Sequence, residues 1–310
     1  MQKNLLVGNG INIQFGGSDY TNREILKRAI ANISADKYSR LLPGISSKEL
    51  LDTFEGLKDI VVNIGKRKPS EEFIFLLMEI QRIKDTYGVD SVIDDIALED
   101  LFIALEFLWE SNDSQDFKDT VHRGLQQILL DAIYNDGKIH TLDYGKNMSR
   151  FLKGYDNIFT INYDKNLERY TDKKVYHLHG DFETLSPIYD QKSSFSKANP
   201  DKCLASQIVD GFEHTFSNTI MSWYWLDKYG AWSENDVYGK EVFEEIDGKL
   251  DIIGISPCND FQLFLTISNS ALKNVTYYFK SDEDRSRIQG AIKKGVTLSS
   301  VDKLWLRISS

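Results

Sequence analysis

The chain has 310 residues, of which 41% are hydrophobic and 12% aromatic; this is a globular composition large enough to bury one large core or two smaller ones, and it excludes disorder as the main state. With 37 Lys and Arg against 47 Asp and Glu, the net charge is −10, so no global basic field draws the chain to nucleic acid or anionic lipid. The two cysteines, Cys203 and Cys258, supply neither a disulfide framework nor a four-cysteine zinc site, and they point to a reducing cytoplasm.

Met1 to Asn4 lead into Leu5-Leu6-Val7 without the longer apolar stretch of a secretory signal, so the start reads as that of a mature folded domain. Apolar runs such as Phe73 to Met78 fall short of the ~20 residues of a membrane span. Leu5 to Val7 is a short apolar run stopped by Gly8-Asn9-Gly10, which predicts a buried strand entering a tight turn. Thr21 and Glu24 have capping-box spacing, and Ile25, Leu26, Ala29, Ile30 and Ile33 form one helical stripe. Strand, glycine turn and helix make the opening half of a βαβ unit.

From about Ser46 to Tyr134 the pattern becomes helical. Ser46 and Glu49 form a second capping box before Leu50, Leu51, Phe54, Leu57 and Ile60. Further stripes are Phe73, Leu77, Ile80 and Ile83, then Leu98, Leu101, Phe102, Leu105 and Leu108, then Val121, Leu125, Ile128, Leu129 and Ala132. Strand patterns return at Asn157 to Ile161, Lys174 to Leu178, Leu250 to Ile255, Asn274 to Lys280 and Lys303 to Ile308. Helices are predicted over Asp260 to Leu272 and over Asp282 to Lys294, the latter stopped by Gly295. Alternating strands and helices imply an α/β fold: a Rossmann-like, mostly parallel sheet with helices on both faces and an inserted all-helical module. The divisions are 1–40 plus 140–310 for the sheet domain and 41–139 for the insertion.

Three strand ends carry residues suited to chemistry. Gly8-Asn9-Gly10-Ile11-Asn12 follows the first strand, where backbone amides could receive a phosphate; a turn that simply needs glycine is the other reading, since Ile13 stands where a third fingerprint glycine is expected. Thr160-Ile161-Asn162-Tyr163-Asp164 ends the second. Asn162 can donate and accept, and Asp164 can accept from a hydroxyl or cap a helix through Leu167 and Tyr170. Tyr176-His177-Leu178-His179-Gly180-Asp181 ends the third. His177 and His179 share a face by strand alternation, no third ligand at a telling spacing supports a metal, and an imidazole that takes a proton near neutrality fits better. Trp223, Tyr224, Trp225, Tyr229 and Trp232 are read as core packing, or as a cover over a ring or a subunit contact. Glu241, Glu244, Glu245 and Asp247 read as a solvated face, and His122, His140 and His214 have no partners at informative spacing.

In this order the segments resemble the sirtuin nucleotide-binding core. Gly8-Asn9-Gly10-Ile11-Asn12 resembles the family's Gly-Ala-Gly-Ile-Ser turn, Thr160-Ile161-Asn162-Tyr163-Asp164 its Thr-Gln-Asn-Ile-Asp, and His179-Gly180 its catalytic His-Gly. Gly254-Ile255-Ser256 is similar to its late Gly-Thr-Ser. The family's protein deacylases carry a four-cysteine zinc ribbon that two cysteines cannot build, so the resemblance points away from deacylation. The continuation through Glu168, and Gly254 with Asn259-Asp260-Phe261, look more like the bacterial sirtuin-like domains of antiviral defence that hydrolyse NAD. Val7-Gly8-Asn9-Gly10 and His177-Leu178-His179-Gly180 also resemble abortive-infection proteins of the AbiH type.

The resemblance implies an NAD glycohydrolase, with NAD as substrate, no metal, and a role in antiphage defence by NAD depletion. It implies catalytic roles for Asn162 and His179, and contacts to NAD from Gly8, Asn9, Gly10, Ile11, Asn12, Asp164, Gly254 and Ser256. The expected partners are further copies of the chain and a phage-derived or co-encoded activator; neither a membrane nor nucleic acid is expected. The alternative is a non-hydrolysing sensor of NAD or ADP-ribose that signals through a partner.

Overall fold

In the computed structural model the described residues are 1–35, 45–52, 128, 131–178, 240–257, 261–292 and 295–309. The first strand, β1 (Lys3–Val7), has Asn4, Leu5, Leu6 and Val7 buried, as a central parallel strand requires when helices cover both its faces. Next come α1 (Gly10–Gly16), α2 (Asn22–Ser34), α3 (Met148–Lys153), β2 (Asn157–Thr160) and β3 (Val175–His177). The later elements are α4 (Lys240–Glu244), β4 (Asp247–Ile253), α5 (Phe261–Asn269), β5 (Ala271–Phe279), α6 (Asp282–Ala291), β6 (Val296–Ser300) and α7 (Val301–Ser309).

The six strands form one sheet in the order β3-β2-β1-β4-β5-β6, and every pair is parallel. This is the Rossmann-type doubly wound order, in which the chain winds outward from β1 to β3 and then returns to wind the other way from β4. The reversal lies between β1 and β4. Register aligns Val7 with Thr160 on one side and Ile253 on the other, and Thr160 with His177. Four strands therefore end at one level, and the turns that leave them share one edge.

Two cores flank the sheet. On one face Leu5, Val7 and Ile253 pack with Ile25, Leu26, Ala29 and Ile33 of α2, Met148 and Leu152 of α3, and Val301, Leu304, Trp305 and Ile308 of α7. On the other, Leu6, Leu250, Ile252, Val275 and Tyr277 pack with Phe264 and Ile267 of α5 and Ile288 of α6. Burying such side chains stabilises the fold by roughly 1.5–3 kcal/mol each. Leu50, Ile128, Ala132 and Ile133 belong to the first core, so the described ends of the helical stretch root in the sheet domain. The rest of that stretch, including the stripes at Phe73 and Leu98, lies outside the described residues.

Local expectations fare unevenly. The Ser46 capping box forms, with the Ser46 amide donating to Glu49 at 2.7 Å and the Glu49 amide to the Ser46 hydroxyl at 3.2 Å. The Thr21 box does not: Thr21 caps α2 with backbone only, its hydroxyl donates to the Ser18 carbonyl, and Glu24 pairs with Lys27. Lys303 to Ile308 is helix rather than strand, because Val301, Leu304, Trp305 and Ile308 are the buried positions and their spacing is helical. The edge strand β6 was not anticipated. Asp282 to Lys294 shortens to end at Ala291, and Ser281 and Asp284 form its capping box. Glu244, Glu245 and Asp247 are exposed, as a solvated face requires. Among the described residues no helix is long and apolar enough to cross a membrane.

Where the sheet reverses, two backbones touch. A Cβ on Gly10 would lie 2.5 Å from the Gly254 Cα, and one on Gly254, whose φ is +69°, would lie 2.8 Å from the Gly10 Cα. Gly10→Ala is therefore expected to cost at least about 1–3 kcal/mol through overpacking against backbone. Gly290→Ala, in α6 with nothing within 4 Å, is expected to be neutral or to stabilise by up to about 1 kcal/mol. The urea unfolding midpoint should fall for Gly10→Ala and hold or rise for Gly290→Ala.

Candidate functional site

The carboxyl edge is built from the β1 turn outward. The Gly8 amide donates to the Ile253 carbonyl and the Gly10 amide to the Gly254 carbonyl, each at 2.9 Å. The two glycines thus carry the β1–β4 ladder past the strand ends, and both amides face β4 rather than open solvent. Neither has positive φ; glycine is required for the close approach, not for a left-handed backbone. Asn9 is held within the turn, donating to the Tyr20 carbonyl at 2.7 Å and accepting from Asn12 at 3.3 Å. The Ile11 side chain is buried in the first core.

Asn12, 1% exposed, is the hub of a buried polar network. Its amide donates to Asp164 Oδ2 at 2.8 Å, and its carbonyl accepts the Tyr144 hydroxyl at 2.5 Å. Asp164 Oδ1 accepts the Asn166 backbone amide at 3.1 Å, an Asx turn that fixes the loop leaving β2. Asn166 donates to the Ile139 carbonyl at 2.6 Å. Asp164 does not cap the following helical turn, Leu167–Tyr170, whose N-cap position is Asn166. Burial pushes the Asp164 carboxyl above its ordinary value, opposed by the Asn12 and Asn166 N–H donors and by the charge of His177. Burial, with Asp164 beside it, also pushes the Tyr144 phenol well above its range, so the hydroxyl stays a donor.

Asn162 lies between the turn and β3. Its backbone amide donates to the Thr160 hydroxyl at 3.0 Å, and its side-chain amide reaches the Gly8 carbonyl at 3.4 Å. Its carbonyl faces His177 Nδ1 at 2.8 Å, while His177 Nε2 faces Glu168 Oε1 at 2.7 Å. Both ring nitrogens meet acceptors. Both must carry hydrogen for the two bonds to exist together, unless a proton sits on Glu168.

Gly8, Gly10, Asn162 and Gly254 thus gather at one edge, with Asn9, Asn12 and Asp164 directly behind them. Ile255 is buried and accepts the Tyr277 hydroxyl at 2.7 Å, and Ser256 is half-buried. His179, the aromatic run at Trp223 to Trp232, both cysteines, His122 and His214 lie outside the described residues. Tyr144, which comes from 132 residues beyond Asn12, carries no local signal of its place in this network. Glu168 falls in the segment continuing from Asp164, but only the fold sets it against His177. No protein-family model, curated protein or solved structure matches this chain.

Two outcomes follow from this geometry. A raised folded-state Asp164 pKa means the folded chain holds that proton more tightly than the unfolded chain. The linked stability is complete below the unfolded carboxyl value and is lost as pH rises through the folded one. The stability of the wild type relative to Asp164→Asn should therefore fall as pH climbs from about 4, read from urea melts; a difference flat in pH would contradict the raised value. For His177, long-range proton–nitrogen NMR should show Nδ1 carrying a hydrogen, since it faces the Asn162 carbonyl, which can only accept; a bare Nδ1 would contradict that bond.

Proposed function

We propose that the chain is an NAD glycohydrolase that cleaves the nicotinamide–ribose bond. The observation supporting this is the meeting of Gly8, Gly10, Asn162 and Gly254, drawn from three separate stretches of chain, at the carboxyl edge beside the strand-order reversal. Doubly wound sheets take nucleotides in the crevice at that edge. On this reading the diphosphate crosses the Gly8–Gly10 turn and the adenosine end lies by Gly254 and Ser256. The glycines contribute closeness of approach, since their two amides are bonded to β4.

The chemistry asks little of a nucleophile. Nicotinamide leaves as a neutral ring when its bond to the ribose breaks, and the ribose carbon develops oxocarbenium character that water then quenches. Asn162 orients the water or a ribose hydroxyl. His179, two residues beyond β3, takes the proton through a ribose hydroxyl. Asp164 supports the loop, in keeping with its bonds to Asn12 and Asn166. An activity that drains NAD needs a gate; the helical stretch 41–139 is the proposed gate or oligomer contact, and a phage-derived or co-encoded protein the proposed activator in antiphage defence.

One observation favours a second reading, a sensor that holds NAD or ADP-ribose without cleaving it. The polar groups of Asn12 and Asp164 and the carbonyl of Asn162 are all engaged inside the protein, as a rigid binding platform requires. Incubation with NAD, alone and with candidate activators, followed by chromatography for nicotinamide, separates the two. Release of nicotinamide that drops by about 10²-fold or more in His179→Ala and in Asn162→Ala, with folding retained, supports the enzyme. Unchanged cleavage by either variant removes that residue from the mechanism, and NAD binding without cleavage supports the sensor.

A further inference from the structure

A parallel sheet is ordinarily covered on both faces, yet among the described residues part of this one borders an open cleft. On the face that packs against α3 and α7, strand alternation presents Lys3, Leu5 and Val7 from β1, Lys249, Asp251 and Ile253 from β4, and Thr276 and Tyr278 from β5. Leu5, Val7 and Ile253 are sealed in the core. Toward the other edge, a cleft of about 550 Å³ opens between α3 and α7 with the sheet as its floor. That volume falls within the roughly 300–1,000 Å³ of small-molecule sites.

The charge on its lining runs against that of the chain. Lys3, Arg150, Lys249 and Arg307 border the cleft, and Asp251 is the carboxylate among its lining residues, in a protein of net charge −10. All four cations are exposed. Among the described residues no ion pair joins Lys3, Arg150 or Lys249 to a carboxylate. The Arg307 guanidinium lies near the Tyr278 hydroxyl and partly offsets the upward push of burial on that phenol. Asp251 accepts the Tyr155 hydroxyl at 2.7 Å, and Asp156 accepts the Lys3 backbone amide at 2.8 Å rather than the ammonium group.

We propose that this cleft is a second small-molecule site, separate from the glycine edge, for a phosphate-bearing anion of mononucleotide size. A monovalent carboxylate would leave most of the positive charge unanswered, whereas a diphosphate answers it, and arginine forks suit phosphate oxygens. The rings of Phe151, Tyr155 and Tyr278 offer an apolar wall for a base or sugar, and Asp251 offers an acceptor for a hydroxyl or amine. A concave cleft in an acidic chain favours a small anion over a nucleic-acid strand. The inference is independent of NAD cleavage and stands whichever way that is resolved.

The test is calorimetric titration of the full chain at low salt with pyrophosphate, ADP and adenosine. Both phosphorylated probes should bind and adenosine should not. Binding by ADP alone identifies a nucleotide, and binding by both a site led by the diphosphate. Arg150→Glu combined with Lys249→Glu removes two exposed cations and should weaken binding by at least about tenfold. Asp251→Asn keeps an acceptor for Tyr155 while removing a repulsive charge, so it should tighten pyrophosphate binding. Hydrogen exchange should show ligand protection on α3 and α7. The proposal is overturned by an absence of saturable binding, by equal affinity in the charge-reversed variant, by adenosine binding as well as ADP, or by protection at residues 8–10 instead.

Discussion

The contact between Gly10 and Gly254 is the constraint on which the rest of the site depends. Two bonds, Gly8 to Ile253 and Gly10 to Gly254, extend the pairing of β1 with β4 beyond the strands and into the turn. Any side chain at either glycine would push the turn off the end of β4. The reversal in strand order is therefore a place where two backbones run in contact before α1 and the chain leaving β4 part to opposite faces. A doubly wound sheet needs such a point, and its position fixes where the strand-end turns can meet.

A second layer of constraint lies beneath that edge. Asn12, Asp164, Tyr144 and Asn166 come from the β1 turn, the loop after β2 and the segment before α3, and bond to one another inside the protein. A buried carboxylate is tolerated only where donors converge on it, and leaving one such donor or acceptor unmatched costs roughly 1–3 kcal/mol. The arrangement thus specifies a single relation between the turn and the loop. His177 does the same for the next pair, joining the Asn162 carbonyl to Glu168. Asn9, Asn12, Asp164 and His177 each bond within the protein, and Asn162 lies against Gly8.

Charge is distributed unevenly over this frame. The carboxyl edge offers backbone, amides and a buried acid, while the open part of one sheet face gathers cations from β1, α3, β4 and α7. Those four elements are far apart in sequence, so an acidic chain can carry a local basic cleft that its composition conceals.

Elements that depend on near neighbours were legible. Leu5 to Val7 before Gly8, the stripe through α2, and the apolar runs of β2 and β4 announce buried strands and a helix, because parallel strands covered on both faces are apolar throughout and an amphipathic helix repeats every turn. Within Lys303 to Ile308 the apolar residues Leu304, Leu306 and Ile308 fit a strand period, and only with Val301 does the helical spacing of the buried positions emerge. The edge strand β6, only half-buried, lacks the apolar run that marks its central neighbours. Strand order, the Tyr144 hydroxyl on Asn12 and the cationic cleft had no local signal. By itself the sequence determined the central strands β1, β2 and β4, the helix α2 and the glycine turn after β1, since those follow from periodicity and backbone sterics over a few residues. Only the tertiary structure decided which strands are neighbours and which polar groups face each other, since those partners are chosen by the packing of both sheet faces across the whole chain.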